Sequence, residues 1–198
     1  LLGESGVGKT SIVRRLRDKG FTCKGEPTIG LDFSAIYTNI TNGKKVKFHV
    51  WDTAGQENFR SIIQSYYRGV ACACIVLDVS DKESLNEASK WLKAYEKFKS
   101  PGNNSMPVII GNKTDLPRGY EYEEGERWAN ENGCLYWEMS AKNNDNTSGL
   151  LYFIGNNIFN NWDEKTETVG ITKNMIKENI ELGVNTRNNF MKMCCTIV

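Results

Sequence analysis

The sequence predicts an α/β domain, with a mostly parallel sheet, one antiparallel strand and helices on both faces. Three observations carry that expectation. Apolar strand-like runs alternate with amphipathic helical stretches up to about residue 162. A glycine-rich loop stands at the first strand-to-helix junction, and an Asn-Gly pair joins two alternating segments as a hairpin.

Leu1 and Leu2 read as the stub of a first strand. Loss of an N-terminal fragment is therefore expected, and with it poor folding, because a central ladder and a core layer go together. A helix follows through "GKTSIVRRLRDK". The segments "FSAIYTNI" and "KKVKFHVWD" alternate with period two and meet at Thr41-Asn42-Gly43-Lys44. "VACACIVLDVS" is continuously apolar, as a strand covered on both faces must be. Then come helix "KESLNEASKWLKAYEKFKS", strand "PVIIG", helix "EEGERWANEN", strand "CLYWEMS" and helix "TSGLLYFIGNNIFNNW". No internal repeat is visible. Residues 163–198 are rich in Asn, Lys and Glu, and their lack of periodicity predicts a flexible tail.

At 198 residues the chain suits one well-buried domain. Hydrophobic content of 39% and charged content of 25% are globular values, and a net charge of +1 gives no field to recruit nucleic acid. With no basic stripe, no nucleic-acid partner is expected. No apolar run reaches the roughly 18 residues of a membrane span, and no secretory signal is read; because the sequence starts at Leu1 rather than Met, a missing N-terminal signal stays open. Cys23, Cys72, Cys74 and Cys134 are scattered, and Cys72-x-Cys74 has the wrong spacing for a zinc knuckle. A reduced, cytosolic compartment follows.

"GESGVGKT" fits G-x-x-x-x-G-K-[ST] between a strand stub and a helix. Backbone N–H groups of Gly3, Glu4, Ser5, Gly6, Val7 and Gly8 would turn inward around phosphates, helped by the helix N-terminus that begins with Lys9, Thr10 and Ser11. Lys9 would reach the β- and γ-phosphates, and the Thr10 hydroxyl would bind Mg²⁺. A nucleoside triphosphate site is expected.

"GNKTDL" places Asn112, Lys113 and Asp115 in N-K-x-D spacing after a strand. Asp115 would accept from the ring N–H and amino group of guanine, donors that adenine lacks. Lys113 would lay its alkyl stem along the base. "SAK", Ser140 to Lys142, ends the next strand, where the Ala141 N–H would read the guanine oxygen. In "WDTAGQE", Asp52 would hold Mg²⁺, the Gly55 N–H would sense the γ-phosphate, and Gln56 would orient the attacking water. Thr28, 19 residues after Lys9, lies on a loop able to fold over the metal. These two segments would report the γ-phosphate by ordering. Lys9, Thr28 and Gln56 are the expected catalytic set.

These motifs resemble the Ras superfamily of small GTPases, and specifically its Rab branch. "IGLDF", "WDTAGQE" and "YYRGV" are Rab-like, and only 24 residues separate Asp115 from Ser140, leaving no room for the Rho-type insert. The resemblance implies a P-loop small-GTPase (G domain) fold over residues 1–162, GTP and GDP as substrate and product with Mg²⁺, and a monomeric domain. It also implies that Phe21 packs against guanine, and that Ile29, Phe33, Trp51 and Tyr66 face effectors. Ser5 in the phosphate loop is common in Rab proteins, whereas Asn58 departs from their usual Arg. Implied partners are a GTPase-activating protein, a guanine nucleotide exchange factor, effectors, a GDP-dissociation inhibitor and a prenylation escort. The lone His49 lies on the polar side of Val46, Phe48 and Val50, so a half-exposed strand position is expected rather than a general base.

Cys194 and Cys195 stand near the end of the tail. Stable membrane anchoring takes two signals, and "ELGVNTRNNFMKM" contains only Arg187 and Lys192, so no polybasic patch supplies one. Adjacent cysteines supply two lipid chains. The resemblance implies double geranylgeranylation; a C-a-a-X box ending in Val198, with Cys194 palmitoylated, is the competing possibility. A switch in vesicle traffic at the cytoplasmic face of an intracellular membrane is implied. A nucleotide-binding pseudo-GTPase scaffold and a Ras-like signalling switch are the alternatives.

Overall fold

The computed structural model describes residues 1–22, 28, 30–43, 45–53, 67, 70–99, 107–160, 171–175 and 191–197, the last two segments through their backbones only. Four helices stand among them: α1 (Lys9–Leu16), α2 (Ser84–Phe98), α3 (Tyr122–Glu131) and α4 (Thr147–Asn160). The strands are β1 (Leu31–Asn39), β2 (Lys45–Thr53), β3 (Cys74–Asp78), β4 (Val108–Asn112), β5 (Leu135–Glu138), β6 (Ile171–Met175) and β7 (Met191–Ile197).

β3, β4 and β5 form a parallel sheet in that order. Successive side chains of a strand point to opposite faces, so each strand feeds two cores. Cys74, Val76, Val108 and Ile110 join Ile12 and Val13 of α1 and Leu150, Leu151 and Ile154 of α4. Ile75, Leu77 and Ile109 pack with Leu85, Trp91 and Tyr95 of α2 and Ala129 of α3. Helices therefore cover both faces, as expected from the continuous apolar run. Cys72, Cys74 and Cys134 are buried thiols outside any disulfide.

β1 and β2 pair antiparallel with Phe33 opposite Trp51. Ser34 and Ile36 face inward from β1, and Val46, Phe48 and Val50 from β2. The Asn-Gly pair sits in a 3₁₀ turn, Thr41–Gly43, where Gly43 takes a left-handed φ of 68° that favours glycine. Leu1 and Leu2 together bridge this hairpin to the parallel sheet, with Leu2 on the β3 side. The Leu2 N–H donates to Cys74 O at 2.8 Å, its carbonyl accepts from the Val76 N–H at 2.8 Å, and the Thr53 hydroxyl donates to Leu1 O at 2.6 Å.

Two segments of the expected tail, β6 and β7, are described. β7 pairs parallel to β2, from Val46 with Met193 to Val50 with Ile197, and β6 pairs antiparallel to β7. In these two segments the backbone is paired, which the flexible-tail expectation did not foresee. The physical reason is the open edge of β2, whose unpaired backbone groups accept an extended segment. Among the described residues no helix is long and apolar enough to cross a membrane.

Candidate functional site

The C-terminal ends of β3, β4 and β5 and the loop before α1 converge on one side of the sheet, where open α/β sheets place their ligands. The loop owes its shape to two glycines. A Cβ on Gly3, at φ 137°, would lie 2.3 Å from Val76 O; one on Gly8, at φ 102°, would lie 2.3 Å from Asn112 Nδ2. No other residue type fits either position.

Lys9 is buried and bends across the loop, donating from Nζ to Gly3 O at 2.9 Å and Glu4 O at 2.8 Å. Burial brings its pKa down to about 8, against the opposing pull of Asp52 and Glu4. An ammonium held so closely by desolvation gains from an anion placed inside the loop. Val7 is buried, and Ser5 and Gly6 are exposed at the crown. Ser11 is half-buried. Glu4 accepts a hydrogen bond from Trp91 Nε1 of α2 at 3.0 Å, which fixes one side of the loop.

The three expected metal ligands are partly assembled. Thr10 Oγ1 and Thr28 Oγ1 lie 2.6 Å apart although 18 positions separate them. Asp52, 2% exposed, leaves Oδ1 without a hydrogen-bond partner among the described residues. Burial raises its pKa, with the Thr10 hydroxyl and Lys9 pulling the other way. One orphaned carboxylate oxygen beside two hydroxyls is a hard-oxygen donor set that fits Mg²⁺, which keeps waters and takes substrate phosphates as its remaining ligands. Among the described residues no group of three or more His, Cys, Asp or Glu side chains is placed to hold a metal ion.

Asn112 ends β4 and is the joint of the site. Its Nδ2 donates to Val7 O at 2.8 Å, and its Oδ1 accepts from the Ala141 N–H at 3.0 Å. The Ala141 N–H, expected to read guanine, is thus held by Asn112. Asp115 Oδ1 accepts from Ser140 Oγ at 2.6 Å, and its Oδ2 pairs with Lys142 Nζ at 3.2 Å. The Ser140 hydrogen bond, then Lys142, hold the Asp115 carboxyl below its ordinary pKa. It is an ionised acceptor, suited to a ligand edge bearing two N–H donors.

Lys113, at φ 70°, forms an ion pair with Asp78 at 2.6 Å. Burial pushes the Asp78 pKa up, but Lys113 and Ser80 outweigh it, and the net direction is down. Sequence reasoning missed Asp78, though a lone carboxylate closing "CIVLD" was a signal. It also missed Trp91 and Arg15, whose partners are remote in sequence. Phe21 is half-buried beyond α1.

On the outer face of the hairpin, Phe33 is 44% exposed and its ring lies 4.9 Å from Trp51 and 5.2 Å from His49. Trp51 is half-buried, and burial followed by Lys47 lowers the His49 pKa. Ile29, Gly55, Gln56, Asn58 and Tyr66 lie outside the described residues.

A glycine-shaped phosphate loop, an orphaned carboxylate beside two hydroxyls, and an ionised aspartate at a strand end together define a P-loop nucleotide-binding domain. A Ras family model matches residues 1–160. The chain is also 36% identical over 204 aligned residues to Ras-related protein RABE1e of Arabidopsis thaliana, an alignment covering 100% of this chain and 91% of that protein. The chain belongs to the Ras family, as a Rab-like small GTPase, and hydrolyses GTP.

Proposed function

We propose that this chain is a membrane-anchored GTP/GDP switch of vesicle traffic, and that the residues placed above are its guanine-nucleotide site. The observation that carries the reading is Asp115, kept ionised by Ser140 and Lys142 opposite the phosphate loop. Its two oxygens accept from the guanine ring N–H and amino group; adenine would leave the carboxylate unpaired. Lys9 leaves the Gly3 and Glu4 carbonyls for the β- and γ-phosphate oxygens, assisted by N–H groups of residues 3–8.

Thr10, Thr28 and Asp52 hold Mg²⁺. When bound, the ion neutralises charge on the phosphate oxygens. Thr28 closes over the site, Gly55 senses the γ-phosphate, and Gln56 orients the attacking water. Ile29, Phe33, Trp51 and Tyr66 present the GTP-dependent surface to effectors. A GTPase-activating protein speeds turnover, an exchange factor speeds release, and a GDP-dissociation inhibitor and a prenylation escort handle the lipidated form. Cys194 and Cys195 carry the lipids that hold the protein at the cytoplasmic face of an intracellular membrane.

The test is a nucleotide competition assay on Asp115→Asn. Loosened guanine preference, with xanthosine diphosphate now competing, is the expected result; unchanged preference contradicts the base assignment.

A further inference from the structure

We infer that Arg15 is a positioning residue for guanine recognition: its guanidinium clasps the backbone at Ala141 and Lys142 to α1 and thereby sets how long nucleotide is retained. The inference rests on the assignment of Ser140–Lys142 to the base pocket.

Arg15 Nε donates to Ala141 O at 2.6 Å, and Nη2 donates to Lys142 O at 2.6 Å, across 126 and 127 positions of sequence. The planar guanidinium presents both donors in one rigid fork, so a single side chain fixes two consecutive carbonyls. On the other side, the Ala141 N–H is fixed by Asn112, whose Nδ2 holds Val7 O. A ring closes: Val7 of the phosphate loop, Asn112, Ala141, Arg15 and, through α1, Lys9. One short helix thus carries the phosphate lysine at its start and the clasp near its end.

This arrangement is specific to Arg15 among its neighbours. Arg17 reaches the hairpin instead, donating to Ser34 Oγ at 3.2 Å. Ala141 is 2% exposed, so the clasp has one anchor on a buried residue and the other on exposed Lys142. A guanine 6-oxo group is the same kind of acceptor as Asn112 Oδ1. The clasp therefore governs the aim of the Ala141 N–H toward whichever acceptor it serves.

The test measures release of GDP and of 6-thioguanosine diphosphate from the full chain, Arg15→Ala and Arg15→Lys. Sulfur is a weak acceptor, so the thio analogue depends little on the Ala141 N–H. Arg15→Ala is expected to release GDP about tenfold faster, the size of losing charge-assisted hydrogen bonds. Arg15→Lys, with one point charge, is expected to release it about threefold faster. The thio analogue is expected to leave all three proteins at nearly the same rate. Wild-type GDP release from Arg15→Ala overturns the inference, as does equal acceleration of both nucleotides, which marks a general loosening. If Arg15→Ala fails to fold, Arg15→Lys decides by the same criterion. Unchanged guanine preference in Asp115→Asn would instead overturn the base pocket itself, so the two failures are distinguishable.

Discussion

Ser140 Oγ donates to Asp115 Oδ1 at 2.6 Å, tying the end of β5 to the loop after β4. The same hydroxyl oxygen accepts from the Asn143 N–H at 3.0 Å, so one buried side chain sets both the aspartate and the turn beyond it. Ser140→Ala is expected to release GDP roughly tenfold faster, because Asp115 loses its nearest donor and its alignment. The check is stopped-flow release of a fluorescent GDP; a wild-type rate counts against the pocket's construction.

The pair of hydroxyls at Thr10 and Thr28 carries the second prediction. Thr10→Asn is expected to weaken Mg²⁺-dependent GTP binding about tenfold or more while GDP binding falls much less. Affinities with magnesium and with chelator decide it. Equal retention of both nucleotides removes Thr10 from the metal site.

Acid sensitivity follows from Asp78 and Lys113, 2.6 Å apart. The folded-state pKa of Asp78 lies below the ordinary aspartate value of 3.8, so its contribution is present above that pH and is lost as pH falls further. The pair is partly exposed, and screening reduces the contribution to about 0.5 kcal/mol. Asp78→Asn is expected to be less stable than wild type by that amount at neutral pH, with the gap closing below about pH 4. Denaturant titrations at pH 6 and pH 3 measure it, and a gap that widens in acid contradicts the assignment.

Cys194 and Cys195 occupy β7, in register with Lys47 and Phe48 of β2. Under the proposed lipid anchoring they dominate membrane attachment, since two chains give stable anchoring and one gives only marginal binding. Replacing both with Ser is expected to move the protein from the membrane pellet to the supernatant of lysed cells. Persistent pelleting would sink the anchor assignment.

Much of this architecture was legible in the sequence because it is encoded locally. The period-two alternation of Val46, Phe48 and Val50 and the continuous run at Cys74–Leu77 specify one covered face and two. Gly3 and Gly8 mark a loop that no side chain permits. Partners remote in sequence carry no such local mark. Nothing near Arg15 says that its donors reach residues 141 and 142, and nothing near Glu4 points to Trp91. β7 escaped notice because its surroundings are polar; its pairing uses the open edge of β2. Asn112 shows the intermediate case, since its motif was legible but its bonds to Val7 and Ala141 make it a structural joint as well.

The most direct test of the switch is single-turnover GTP hydrolysis by wild type beside Gln56→Leu. The account predicts slow intrinsic turnover, within a few orders of magnitude of the ~10⁻⁴ per second typical of unassisted small GTPases, largely abolished by the substitution. Tight GTP binding with the same turnover in both proteins, or with none in either even after addition of a Rab-type activating domain, would contradict it.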